Sequence, residues 1–199
     1  MAADTKCVMF DMFDVVIYYT TDMHYRYIAS KNGLGFGLVK GRMDVLEREL
    51  DSGSITVREY VSKAARRLGI HRKGVYYPYF FERSIRPNRP MIRLVKRLRK
   101  RYKTALMTNA GFLEYRLAKE LIGFGGFDYV FASCYLGMIK PSPRLFRYAA
   151  KRMSLDPPEI TFVDDRERNV VAARKVGMDA ILFRGNEDFR RQLARRGLA

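Results

Sequence analysis

The chain has 199 residues, 48% of them hydrophobic, which suits one packed core with a small appended module and argues against a disordered chain. No run approaches the roughly 18–20 apolar residues of a membrane span, and the first residues lack the order of a signal peptide, so a cytoplasmic protein without a membrane partner is expected. The formal net charge of +17 admits nucleic acid as a partner, but the basic residues are spread over the whole chain, and a solvated basic surface with no specific nucleic-acid partner is the expectation.

In chain order, "CVMF" (7–10) is a short apolar run that reads as a buried strand, and it stops at Asp11, with Phe13 and Asp14 just beyond. From 19 to 88 the pattern is helical with few strand signals. Within it, "NGLGFGLVKG" (32–41) follows no predicted strand and reads as a flexible turn rather than a dinucleotide loop. "DSGS" (51–54) is a turn, and Thr56 with Glu59 forms a capping box. "YYPYFF" (76–81) offers aromatics that line a pocket or pack helices together.

Met91, Leu94, Val95 and Leu98 then recur at helical spacing. "TALMT" (104–108), "YVFAS" (129–133), "ITFV" (160–163) and "AILF" (180–183) read as further buried strands. Helices fall between them. One has Ser142 as its cap and Pro143 in its first turn, one ends at Gly177, and one is capped by Asn186. The alternation predicts an α/β fold: a doubly wound, Rossmann-like parallel-sheet core of residues 1–18 and 89–199, with a small α-helical domain at 19–88. Cys7 and Cys134, the only cysteines, sit in apolar settings and read as reduced, buried thiols.

In an open parallel sheet, ligands bind beyond the carboxyl ends of the strands. The first strand carries Asp11 there, the second Thr108 and Asn109, the loop after the third Lys140, and the fourth Asp164 and Asp165, with Asn169 one turn on. Each alone is ordinary, as a helix cap or a solvated lysine. Their convergence on one rim points to chemistry on a charged group.

The stretches "VMFDMFDVVI", "TALMTNAG", "GMIKPSPRLF" and "ITFVDDRERNVVAARKVGMDAI" resemble the four ordered motifs of the haloacid dehalogenase-like hydrolases, mostly phosphatases. The resemblance runs from near residue 6 to near residue 184 and makes 19–88 that family's helical cap. It implies Asp11 as nucleophile, Thr108 and Asn109 as phosphate-binding residues and Lys140 as partner of both nucleophile and phosphate. It also implies a Mg²⁺ site formed by Asp11, the backbone carbonyl at Phe13, Asp164 and Asp165. The physical chemistry agrees: these acids would repel one another without a cation, and Mg²⁺ binds through a few carboxylates and substrate oxygens. A small phosphorylated metabolite is the implied substrate, acted on by a monomer or homodimer.

One position departs from the family pattern. Where its phosphatases carry a second Asp that acts as general acid and base, this chain has Phe13, followed by Asp14. The missing group is worth about 10²–10⁴-fold in rate. Asp14 is the nearest replacement, with His24, Asp22, Tyr18 and Tyr19 further on; Asp14 could equally cap a turn. A substrate with a good leaving group would need less protonation. A catalytically degenerate binding protein and a metal-free 2-haloacid dehalogenase are the alternatives. The latter has an aromatic residue at this position but lacks the paired acids found at Asp164 and Asp165.

Overall fold

The computed structural model describes residues 4–19, 21–75 and 77–198. In chain order the elements are β1 (Cys7–Phe10), β2 (Ile17–Tyr18), α1 (Thr21–Asn32), α2 (Phe36–Asp51), α3 (Val57–Leu68), α4 (Tyr77–Ser84), β3 (Arg86–Pro87) and α5 (Arg89–Leu98). They continue with β4 (Lys103–Thr108), α6 (Phe112–Ile122), β5 (Tyr129–Ala132), α7 (Ser133–Leu136), α8 (Pro143–Met153), β6 (Ile160–Asp164), α9 (Glu167–Lys175), β7 (Asp179–Leu182) and α10 (Asn186–Arg195).

Five strands form one parallel sheet in the order β5-β4-β1-β6-β7. The chain leaves β1 in one direction through β4 and β5, then returns to place β6 on the other side of β1. That reversal is the switch point at which open α/β sheets bind ligands. Successive strand residues face opposite ways. Val8, Phe10, Leu106 and Val163 join the apolar layer with α5 and α10. Cys7, Met9, Ala105, Met107 and Phe162 join the layer with α8 and α9. Both cysteines are buried free thiols, as expected.

Helices α1 to α4 lie between β2 and β3, an antiparallel two-residue pair that sequence reading did not foresee. They have their own core, in which Tyr25, Ile28, Val39, Met43, Leu46, Leu50 and Tyr60 are packed together. The predicted capping box of α3 is present: Glu59 N–H donates to Thr56 Oγ1 at 3.2 Å, and Thr56 N–H donates to Glu59 Oε2 at 2.8 Å. Such a cap stabilises a helix by about 1 kcal/mol.

Several local expectations need correction. The glycine-rich stretch is not a turn throughout, because α2 begins at Phe36 and includes Gly37 and Gly41. The buried stripe Val39, Met43, Leu46 and Leu50 outweighs the cost of about 1 kcal/mol for each helical glycine. Asp51 belongs to the end of that helix rather than to the turn after it. Ser133 opens α7 instead of closing β5. Ser142 sits at the N-cap of α8 but its side chain makes no capping bond. Gly185, not Asn186, is the N-cap of α10. Asn186 instead pairs with fully buried Asn88, whose Nδ2 also donates to the Val15 carbonyl at 2.8 Å and whose Oδ1 caps α5.

The insertion is fastened to the sheet domain at its far end. Ser133 Oγ donates to the Asp51 carbonyl and accepts the Ala110 N–H at 2.9 Å. Gly53 adopts φ +73° directly against the Cys134 backbone, where a Cβ would come within 2.6 Å of the Cys134 oxygen. Both the dihedral and the close approach require glycine.

Candidate active site

The parallel register explains how residues far apart in sequence meet. Phe10 pairs with Leu106 on one side and Val163 on the other, so β1, β4 and β6 reach the same rim and deliver Asp11, Thr108 and Asp164. Lys140 arrives from the loop after α7. Its Nζ lies 2.7 Å from Asp11 Oδ1 and 2.7 Å from Asp164 Oδ2, and it donates to the Met107 carbonyl at 3.1 Å. All three charged groups are buried.

Burial is the largest influence on Asp11 and pushes its carboxyl well up; the charge of Asp164 adds to this and that of Lys140 opposes it. Burial works against the Lys140 ammonium too, but the charges of Asp11 and Asp164 outweigh it and raise its pKa. Asp165 is half-buried and also raised, by burial and then by Asp164. Ligand oxygens of Asp11, Asp164 and Asp165 fall within 4.8 Å of one another, a spacing that suits a divalent cation. Three acids facing one lysine leave a negative excess that such a cation would neutralise.

Within that trio Asp164 is already engaged. Oδ1 accepts from the Arg166 N–H at 2.8 Å and from Asn169 Nδ2 at 2.9 Å; Oδ2 accepts from Asn169 Nδ2 at 3.0 Å and from Lys140. A carboxylate has about four acceptor positions, so Asp164 holds Lys140 and Asn169 with most of them. Asn169 fixes that acid in turn. Asn109 fixes Lys140 from the backbone side: its Oδ1 accepts the Lys140 N–H at 2.8 Å and its Nδ2 donates to the Lys140 carbonyl at 3.1 Å. The Asn109 side chain is therefore occupied by the Lys140 backbone. Thr108 Oγ1 is buried without a hydrogen-bond partner.

Lys140→Met should destabilise the chelator-treated protein by about 3–5 kcal/mol, because it leaves two buried carboxylates uncompensated. Urea denaturation measures this, and a change below about 1 kcal/mol would contradict the picture of a strained acidic pair held by one cation.

The half-buried ring of Phe13 stands 5.6 Å from Tyr19 and 5.9 Å from Phe81, ring centre to ring centre, and forms an aromatic wall where the family pattern would put an acid. Asp14 follows at φ +56°, a left-handed turn that Asp tolerates better than most residues, with its N–H bonded to the Ile17 carbonyl at 2.7 Å. This turn brings Asp14 to the same cavity as Asp11. Burial, then the charge of Asp165, pushes its carboxyl up to about 6. Of the other candidates, His24 is buried with Nε2 at 2.8 Å from the Val75 carbonyl, and burial lowers it to about 4. Asp22 lines the cavity but pairs with Lys40 at 2.8 Å. Tyr18 is exposed, whereas Tyr19 lines the cavity. Of the aromatic stretch 76–81, Tyr76 lies outside the described residues; Phe81 packs against Phe13 and Tyr19.

The cavity has a volume of about 790 Å³ and lies between the sheet rim and the helical insertion. Sequence reading missed Glu47, Asp51 and Glu114, which also line it. Glu47 and Asp51 are four apart on α2, a spacing that puts them on one helix face, but nothing in the sequence says that this face turns toward Asp11.

A family model for haloacid dehalogenase-like hydrolases matches residues 5–177. The chain belongs to the haloacid dehalogenase-like hydrolases. It is 31% identical to bifunctional epoxide hydrolase 2 of Rattus norvegicus over 53% of this chain and 20% of that protein. It is 32% identical to the sesquiterpene phosphatase astK of Aspergillus oryzae over 47% of this chain and 49% of that protein. The chain thus spans half or less of the length of either relative. Among solved structures, the HAD family enzyme bt-2542 of Bacteroides thetaiotaomicron superposes with a TM-score of 0.81 at 18% identity, covering 95% of this chain and 98% of that one. Its complex with magnesium and inorganic phosphate superposes with a TM-score of 0.73 at 19% identity, covering 89% and 93%. No helix among the described residues is long and apolar enough to cross a membrane.

Proposed function

We propose that this chain is a Mg²⁺-dependent phosphohydrolase that removes the phosphoryl group of a small phosphorylated metabolite through an aspartyl-phosphate, with α1 to α4 as a substrate-selecting cap. The observation that carries the reading is the buried Asp11–Lys140–Asp164 chain opening on a cavity, with Asp165 beside it and the Thr108 hydroxyl unpartnered. The phosphatase among the relatives and the magnesium–phosphate complex of bt-2542 support it.

Asp11 Oδ1 accepts from Lys140 and, at 2.6 Å, from the Met12 N–H, which leaves Oδ2 to attack phosphorus. A bond forms from Oδ2 to phosphorus and the ester P–O bond breaks. The departing oxygen takes a proton from Asp14, and Asp14 then removes a proton from the water that hydrolyses the phosphoenzyme. Lys140, Thr108 and the Asn109 N–H hold phosphate oxygens as charge redistributes over them. The ion would be held by Asp11, the Phe13 carbonyl and Asp165, with Asp164 behind them, and would supply positive charge beside the transferred group. Phe13, Tyr19 and Phe81 exclude water from the face where the family's usual acid is absent.

The test is hydrolysis of acetyl phosphate and nitrophenyl phosphate with Mg²⁺ and with chelator. Turnover that disappears with chelator and returns with Mg²⁺ is expected. Inert protein with both substrates would favour a binding role, and a metal-independent hydrolase active on 2-haloacids would favour dehalogenation.

A further inference from the structure

The acids missed by sequence reading form a second cluster in the same cavity. Ligand oxygens of Glu47, Asp51 and Glu114 lie within 4.8 Å of one another. Among the described residues, none of the three is in an ion pair with a lysine or arginine. Tyr60 Oη donates to Glu47 Oε2 at 2.9 Å, which fixes that side chain without neutralising it. Glu114 is 3% exposed and its Oε2 has no hydrogen-bond partner, although burial raises its carboxyl and backbone N–H bonds from Glu114 and Gly111 partly oppose that rise.

A separate observation points to a ligand. The phenol oxygens of Tyr19 and Tyr25 are also buried and unpartnered, and both residues line this cavity at 4% and 1% exposure. Burial, then the charges of Glu47, Glu114 and Asp51, raise the Tyr19 phenol. Buried polar groups left without partners call for an explanation. Burial is the main cause that pushes Glu47 up to about 8 and Asp51 to about 7, despite the partly compensating charge of Arg166.

The cluster adjoins the phosphoryl site. Asp51 and Lys140 line the same cavity. Glu114 Oε2 folds against the loop that follows Thr108 and Asn109, where a Cβ on Gly111 would meet it at 2.6 Å. We propose that Glu47, Asp51 and Glu114 form a second subsite of the Asp11 cavity that takes the ammonium group of an aminated phosphate ester. An ammonium has three N–H donors. With N–H···O bonds of about 2.8 Å at tetrahedral angles, its acceptors stand about 4.6 Å apart, within the spread of the three acids. Since the three acids can take all three donors, a phenol of Tyr19 or Tyr25 accepts only in place of one of the carboxylates. The subsite rests on the phosphohydrolase reading but is tested separately from it.

Asp11→Asn protein with Mg²⁺ would be titrated calorimetrically with 3-aminopropyl phosphate and with 3-hydroxypropyl phosphate. The amino ester should bind at least tenfold more tightly. Glu114→Gln placed in the same background should reduce that advantage to less than threefold. Tyr19→Phe, a milder change that keeps the ring packing, should reduce it part of the way. Equal affinity for the two esters would overturn the ammonium subsite while leaving the phosphohydrolase intact, since acetyl phosphate turnover by the unmodified protein reports on that alone. Binding of two Mn²⁺ per chain, one lost with Glu114→Gln, would also overturn it by making the cluster a metal site. If neither ester binds, the subsite falls with the site it was built on.

Discussion

Asp11→Asn is expected to reduce phosphate-ester hydrolysis by about 10⁴–10⁶-fold, with the fold retained. The amide keeps an oxygen where Asp11 Oδ1 meets Lys140 at 2.7 Å and the Met12 N–H at 2.6 Å, so packing at the end of β1 changes little. What it loses is the negative charge that attacks phosphorus in the proposed mechanism. Rapid-quench labelling with a phosphate ester should trap phosphorus on the unmodified chain and none on the variant. Residual turnover within tenfold of the starting value would exclude Asp11 as the nucleophile.

The second large effect falls on Asp14. Asp14→Asn should lower turnover of alkyl phosphates by about 10²–10⁴-fold, the usual contribution of a general acid or base. Its carboxyl is pushed up to about 6, mainly by burial, so it changes charge within an accessible pH range. The sign depends on which step limits the rate. In the proposed mechanism an alkyl ester needs a protonated Asp14 to release its alcohol, so its rate should fall as pH rises through about 6. A nitrophenyl ester leaves without help and waits on hydrolysis of the phosphoenzyme, which needs Asp14 ionised. Its rate should rise through the same region. Both limbs should vanish in Asp14→Asn, and profiles that are unchanged would assign the proton to another group.

The parts of this molecule that were legible in the sequence are those fixed by local pattern. Short apolar runs marked all five strands of the parallel sheet, because strands covered on both faces are continuously apolar. The end of each run located Asp11, Thr108 and Asp164, and parallel pairing turned a spacing in sequence into a meeting in space. The β2–β3 pair was not legible, since two residues each carry no periodic signal. Nor was the start of α2, where glycines spoke for a turn and a long-range apolar stripe decided for a helix. Asn109 and Asn186 were assigned from position alone, and their actual partners, Lys140 and Asn88, lie 31 and 98 residues away. The acidic patch of Glu47, Asp51 and Glu114 depends on how α2 docks against α6. No single stretch of the chain encodes that arrangement.

The two attachments of the helical insertion carry a consequence for throughput. One end is tied by the β2–β3 ribbon, the other by Ser133 and by Gly53 pressed on the Cys134 backbone. An element pinned at both ends swings less freely than one on a single hinge, so a wide opening of the cavity should require one of these contacts to break. Bulky esters should then be limited by exchange through a narrow doorway, while slender ones run at the pace of bond cleavage. A viscosity series across leaving groups of increasing width would separate the two regimes.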